Sequence, residues 1–178
     1  IFICHPEDAK QELPCAERIL TKLARLAFRR PVTEADLTTL LGFYRSGRQT
    51  GGFEGGIQKG LFAILASTKF LYRGELDGPP ATLEAGAAYP ISDLELASRL
   101  AFFLWSEGPD DELLALAESQ RLHDPHVYAA QVERMLADPR SESLVTNFAF
   151  QWLGVRGLDS ALPDAVLYPN FDADLRAA

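Results

Sequence analysis

The sequence predicts an all-α protein: a multi-helix bundle of about seven or eight helices in two packed halves. Three observations carry that expectation. Apolar residues recur at helical spacing through most of the chain. Helix-capping signals open one segment after another. Strand signals are confined to Ile1-Phe2-Ile3-Cys4, and no repeat of fixed period is present.

From Cys15 to Arg29, Ile19, Leu20, Leu23, Ala24, Ala27 and Phe28 share one helical face, while Glu17, Arg18, Lys22 and Arg25 share the other. Pro31 stops this helix, because proline lacks the N–H that continuation needs. Thr33 then serves as an N-cap with acidic Asp36 at the third helical position, and Val32 and Leu37 form a hydrophobic staple. This second helix runs to about Ser46, and the glycine-rich stretch 46–56 reads as a loop. Residues 57–73 are apolar almost all round, which predicts a helix buried on most sides. Gly74, Gly78, Pro79, Pro80, Gly86 and Pro90 crowd the next stretch, an unusually long connection within a compact domain. The expected division is an N-terminal helical domain over 1–76, a linker over 77–90, and a C-terminal helical domain over 91–178 that is cut short at its end.

The second half opens on a capping box of Ser92 and Glu95, with Ile91 and Leu96 as its staple. The nearly all-apolar helix beginning there is expected to be central. Gly108-Pro109 precedes a short helix whose first turn carries Asp110, Asp111 and Glu112, as the helix dipole favours. Asp124-Pro125 and Asp138-Pro139 each pair an N-cap with a proline at the first helical position. They predict helices at about 125–137 and 139–153.

Composition narrows the function. At 178 residues, with 47% apolar and 24% charged, the chain can bury a real core as one domain or two small ones. A net charge of −8 argues against nucleic acid, whose binding depends on neutralising phosphates. The one basic cluster, Arg25, Arg29 and Arg30, reads as a solvated helix face and last turn. No apolar run approaches the roughly 20 residues of a membrane span. No signal peptide is visible, and the chain starts and stops abruptly, so it reads as a piece of a longer protein.

Candidate chemistry is sparse. Covalent haem needs Cys-x-x-Cys-His, which the spacing of Cys4, His5 and Cys15 does not supply. Zinc would find three ligands there at best, with Glu7, Asp8 or a distant histidine as the fourth. A reactive thiol would need a base better placed than the adjacent His5. A Cys4–Cys15 disulfide is the remaining reading, expected if the parent protein is exported. His123 and His126 read as surface residues around an Asp-Pro cap. The acidic trio Asp110, Asp111 and Glu112 reads as a dipole complement rather than a cation site. The glycines of 51–60 lack the Gly-Lys-Ser/Thr ending of a phosphate loop. Phe102, Phe103, Trp105, Phe148, Phe150 and Trp152 read as core rather than a cofactor pocket. No nucleophile–base–acid set can be assembled.

The stretches from "CAERILTKLARLAFRRPVTEADL" to "LASTKFLYR", and then "YPISDLELASRLAFFLW" through "DDELLALA" to "PNFDADL", resemble a pair of adjacent domains of unknown function. Such pairs occur in planctomycete-type multidomain surface or periplasmic proteins that also carry cytochrome c domains. The resemblance implies an exported parent, haem c on other domains and none in this segment. It implies as partners the neighbouring domains of the parent chain, or another envelope protein. That setting favours the Cys4–Cys15 bridge and leaves His5 without a role.

The leading functional expectation is a non-catalytic structural or interaction module, with no catalytic, cofactor or metal residue assigned. One alternative is part of an oxidoreductase active site completed by neighbouring haem domains, which would gather polar residues such as Asp93, Arg99, Gln151 and Arg156 in one pocket. The other is a carbohydrate or cell-wall binder, which would expose Trp105 or Trp152.

Overall fold

Asp8 starts the first helix. In the computed structural model, which describes residues 1–73, 88–157, 160, 163–164, 166–172 and 174–175, its carboxylate accepts hydrogen bonds from the amides of Lys10 and Gln11, both at 2.9 Å. Helix α1 (Ala9–Phe28) therefore begins well before Cys15. Pro14 lies inside it, where it forfeits the bond to the Lys10 carbonyl; the Asp8 cap offsets part of that loss. The apolar face is the expected one, burying Ile19, Leu20, Ala24 and Phe28.

Ahead of α1 the chain is irregular and pairs with no strand among the described residues. It is held instead by a Cys4–Cys15 disulfide, with Cα atoms 5.9 Å apart. His5 stacks on Phe2 at 5.4 Å, and Phe2 approaches Phe53 at 6.4 Å.

The glycine-rich stretch is not a loop. Helix α2 (Glu34–Leu65) starts at the expected Thr33–Asp36 capping box and stays helical except at Gly51 and Gly52. Gly52 has φ 63° and ψ −156°, a region open essentially to glycine alone. The chain turns back there, so the arm over 34–50 packs on the arm over 53–65. Gly47 and Gly55 meet at that contact: a Cβ on Gly47 would lie 2.4 Å from the Gly55 carbonyl oxygen. A Cβ on Gly56 would strike the Tyr44 ring at 2.5 Å. Glycine here is demanded by closeness of backbone, a need that looks like loop composition when met in sequence. The second arm buries Ile57, Gly60 and Ile64 along with Gly56, and its outer face leaves Phe62 exposed, so the segment is not buried all round. After Leu65 the helix breaks, and a short turn, α3 (Thr68–Leu71), is capped by Ser67.

Residues 74–87, which include most of the expected linker, lie outside the described residues. Helix α4 (Asp93–Trp105) begins at the expected Ser92–Glu95 box. Asp110 caps α5 (Asp111–Glu118), accepting from the Leu113 amide at 3.0 Å, and Asp124-Pro125 starts α6 (Pro125–Ala137). Asp138-Pro139 also caps, but opens no regular helix. A 3-10 turn over Pro139–Ser141 and a π-helical turn over Leu144–Ala149 precede the last turn, α7 (Phe150–Trp152). Ser143 and Asn147 hydrogen-bond to the Leu104 carbonyl and the Ser106 hydroxyl, tying this irregular stretch to the end of α4.

Two cores result. Ile19, Leu20, Leu40, Tyr44, Ile57 and Ile64 centre the first. Ala101, Leu104, Trp105, Leu113, Leu122 and Met135 centre the second, where the Trp105 indole N–H donates to the Met135 carbonyl at 2.9 Å.

Two predictions test this frame. Gly47→Ala and Gly52→Ala are each expected to lower unfolding free energy by roughly 1–3 kcal/mol, one by overpacking and one by backbone strain. Gly42→Ala, in open helix surface, should raise it by about 0.5–1 kcal/mol. Equal effects of all three in denaturant titrations would show that the corner is misdescribed. For the bridge, alkylation of denatured protein should label no cysteine until reductant is added, then both. Reduction should lower stability by about 2–3 kcal/mol.

Candidate functional site

Helix α1 ends in the basic run Arg25, Arg29 and Arg30, and the structure corrects its reading as a solvated face. Arg25 crosses to the second half. Its Nε and Nη2 donate to the two Glu118 carboxylate oxygens at 2.7 and 3.0 Å, and Nη1 donates to Asp111 at 2.7 Å. The planar guanidinium fork suits such a bidentate pair. Arg29, only 9% exposed, takes a left-handed backbone (φ 57°) at the helix end. Its Nη1 donates to the Ala27 carbonyl at 2.9 Å, and Nη2 donates to the Lys69 and Tyr72 carbonyls at 2.9 and 3.0 Å. Burial first, and then the charge of Arg73, holds its pKa below the ordinary value.

Arg30 turns the other way, to Asp36 at 2.9 Å. Lys69 grips the second Asp36 oxygen. Burial pushes the Asp36 pKa up. Hydrogen bonds from Lys69, Arg30 and Thr33 overcome that and leave it well below the usual carboxylate range.

Arg29, Arg30 and Lys69 border a cleft of about 680 Å³ between the end of α1, α3 and α4. Phe28 and Phe102 form its aromatic walls. Arg30 and Lys69 each lie 5.8 Å from the Phe28 ring centroid. Arg29 and Arg73 lie 5.9 and 4.4 Å from that of Phe102.

The other sequence candidates fall elsewhere. The disulfide takes both thiols, so Cys4 and Cys15 offer no thiolate to a metal. Among the described residues no group of three or more His, Cys, Asp or Glu side chains is gathered as metal ligands would be. His123 pairs through Nδ1 with Asp93, whose other oxygen accepts from the Leu122 amide at 2.6 Å. His126 contributes its amide to the Asp124 cap at 2.8 Å. In the acidic trio, Asp110 pairs with Arg134 at 2.7 Å, Asp111 with Arg25, and Glu112 accepts from Gln131 at 2.8 Å. Each acid thus has a partner of its own as well as the dipole.

Of the four polar residues that an enzyme site would gather, only Arg99 lines the cleft. Asp93 serves His123, and Arg156 donates toward the Thr146 and Asn147 carbonyls at 3.4 and 3.3 Å. The aromatics divide. Trp105 is core, 1% exposed, whereas Trp152 is 76% exposed, and Phe103, Phe148 and Phe150 are also exposed, against the expectation of burial. Phe103 meets Phe148 edge-on at 5.4 Å, and Phe148 stacks on Trp152 at 6.1 Å. Sequence reading missed Arg29, Lys69, Arg73 and Phe102 as cleft residues. Arg29 reads in sequence as part of a solvated basic run and Phe102 as core, and Lys69 and Arg73 lie about 40 positions or more from Arg29 and share no motif with it.

The chain is an all-α protein with two helical cores clasped across a cationic cleft. Residues 15–75 match the family PSD5, described as a protein of unknown function (DUF1595), and residues 91–178 match PSD4, described likewise (DUF1592). The chain carries both domains of unknown function, in that order. No curated protein and no solved structure matches it.

Asp36 gives a pH test. Its lowered folded pKa means that its stabilisation is present above the unfolded value of about 4 and lost as pH falls through the lower folded one. Asp36→Asn should therefore destabilise the protein by about 2–3 kcal/mol at pH 7, leaving Arg30 short of a counter-charge. The difference from wild type should shrink toward pH 2. A constant difference across that range in thermal unfolding would refute the assignment.

Proposed function

We propose that this chain is a non-catalytic structural and interaction module of a longer, exported protein whose other domains bind haem c. The observation that supports this reading best is the solvent-facing row Phe103–Phe148–Trp152, with Leu153 beside it also exposed. Aromatic clusters left in water are the material of protein interfaces, where tryptophan supplies much of the binding energy. Neighbouring domains of the same parent are the partners of choice, with another envelope protein as the second. The Cys4–Cys15 bridge supports a periplasmic or cell-surface setting, since disulfides persist in oxidising compartments. One observation favours a second reading: exposed Trp152 stacked on Phe148 also suits a carbohydrate or cell-wall polymer.

Titrating the protein with a separately prepared haem-bearing domain of the parent separates the two readings. Binding should quench Trp152 emission, and Phe148→Ala with Trp152→Ala should weaken it about tenfold or more. No binding, or equal binding by the double variant, overturns the module reading. Retention on insoluble cell-wall polysaccharide that is lost in Trp152→Ala would transfer the site to the second.

A further inference from the structure

The cleft holds more positive charge than packing needs. Five of its thirteen described lining residues, Arg29, Arg30, Lys69, Arg73 and Arg99, are cationic, and Glu95 is the one acid among them. This concentration occurs in a chain of net charge −8. Arg30 and Lys69 flank the Phe28 ring, and Asp36 neutralises both.

Arg29 and Arg73 repeat that arrangement around Phe102, but without the carboxylate. Among the described residues no ion pair reaches either of them. Arg29 meets three carbonyl oxygens, which orient the guanidinium but carry no full negative charge. Arg73 is exposed and contacts the ring face. Two like charges gathered on one ring repel each other, and burial deepens the cost for Arg29. Among the described residues the second unit has no anion that matches Asp36 in the first.

We propose that this cleft binds a small organic oxyanion, a carboxylate or phosphate group carried on an apolar body. The charged end would lie on Arg73, whose fork matches the two oxygens of either group, with the Arg29 charge beside it held in place by its carbonyl partners. The apolar body would lie against Phe28, Phe102 and Phe103, which a bare inorganic ion would leave wet. A volume of about 680 Å³ suits a small molecule. The five cations sit in one pocket rather than along a stripe, which suits a compact anion and not a nucleic-acid backbone.

Phthalate, phenyl phosphate and inorganic phosphate serve as probes, in calorimetry and thermal unfolding at low ionic strength. Phthalate or phenyl phosphate should bind and raise the melting temperature, less so as sodium chloride is added. Phthalate alone would assign a carboxylate, and phenyl phosphate alone a phosphate. Arg73→Ala should weaken binding about tenfold or more, since it removes a charged hydrogen-bonding partner. Arg48→Ala, a basic residue paired with Glu12 outside the cleft, should leave binding unchanged. The proposal fails if neither organic probe binds, if Arg73→Ala binds as well as wild type, or if inorganic phosphate binds as tightly as phenyl phosphate.

Discussion

The guanidinium of Arg29 sits where three parts of the chain meet, and each depends on it for position. Through the carbonyls of Ala27, Lys69 and Tyr72 it joins the end of α1 to α3 and to the residues just after α3. Through the ring of Phe102 it reaches α4. The constraint is electrostatic. A buried guanidinium without a carboxylate must find enough carbonyl oxygens to replace the water it lost, and the ends of α1 and α3 present them. Lys69 and Arg73 are brought to the cleft by that same requirement.

Arg25, one helical turn earlier, acts differently. Its bidentate pair with Glu118 and its bond to Asp111 lie at the surface, where each ion pair contributes modestly. Their value is in registration, since one side chain grips both ends of α5. The halves are thus joined by a buried, hydrogen-bonded arginine and a more exposed, paired one.

Much of the helical plan was legible in the sequence because helix ends are chemically local. Thr33 with Asp36, Ser92 with Glu95, Asp124 with Pro125 and Asp138 with Pro139 all cap where four-residue patterns place them. The course of the chain beyond a cap is less local, so Asp138-Pro139 opens a 3-10 turn and a π turn instead of a helix. The glycines of 46–56 misled for a related reason. Glycine marks both backbone freedom and backbone proximity, and only the partner segment tells which. Trp152 and Phe148 carry the same ambiguity, since helical spacing does not say whether a face has a neighbour. The cleft was hidden because its cations come from three separated segments, and composition recorded only an acidic chain.

The fold-back at Gly51–Gly52 sets a hierarchy in the entropy of assembly. Gly47 and Gly55 are eight positions apart, so bringing them together closes a very small loop at little conformational cost. Arg25 and Glu118 are 93 positions apart and can meet only when α1 and α5 are already in place. The glycine contact is a short-range contact of low contact order, and the arginine clasp is a long-range one. A chain with this division can lose the clasp while keeping its first core, because the two are closed by loops of very different length.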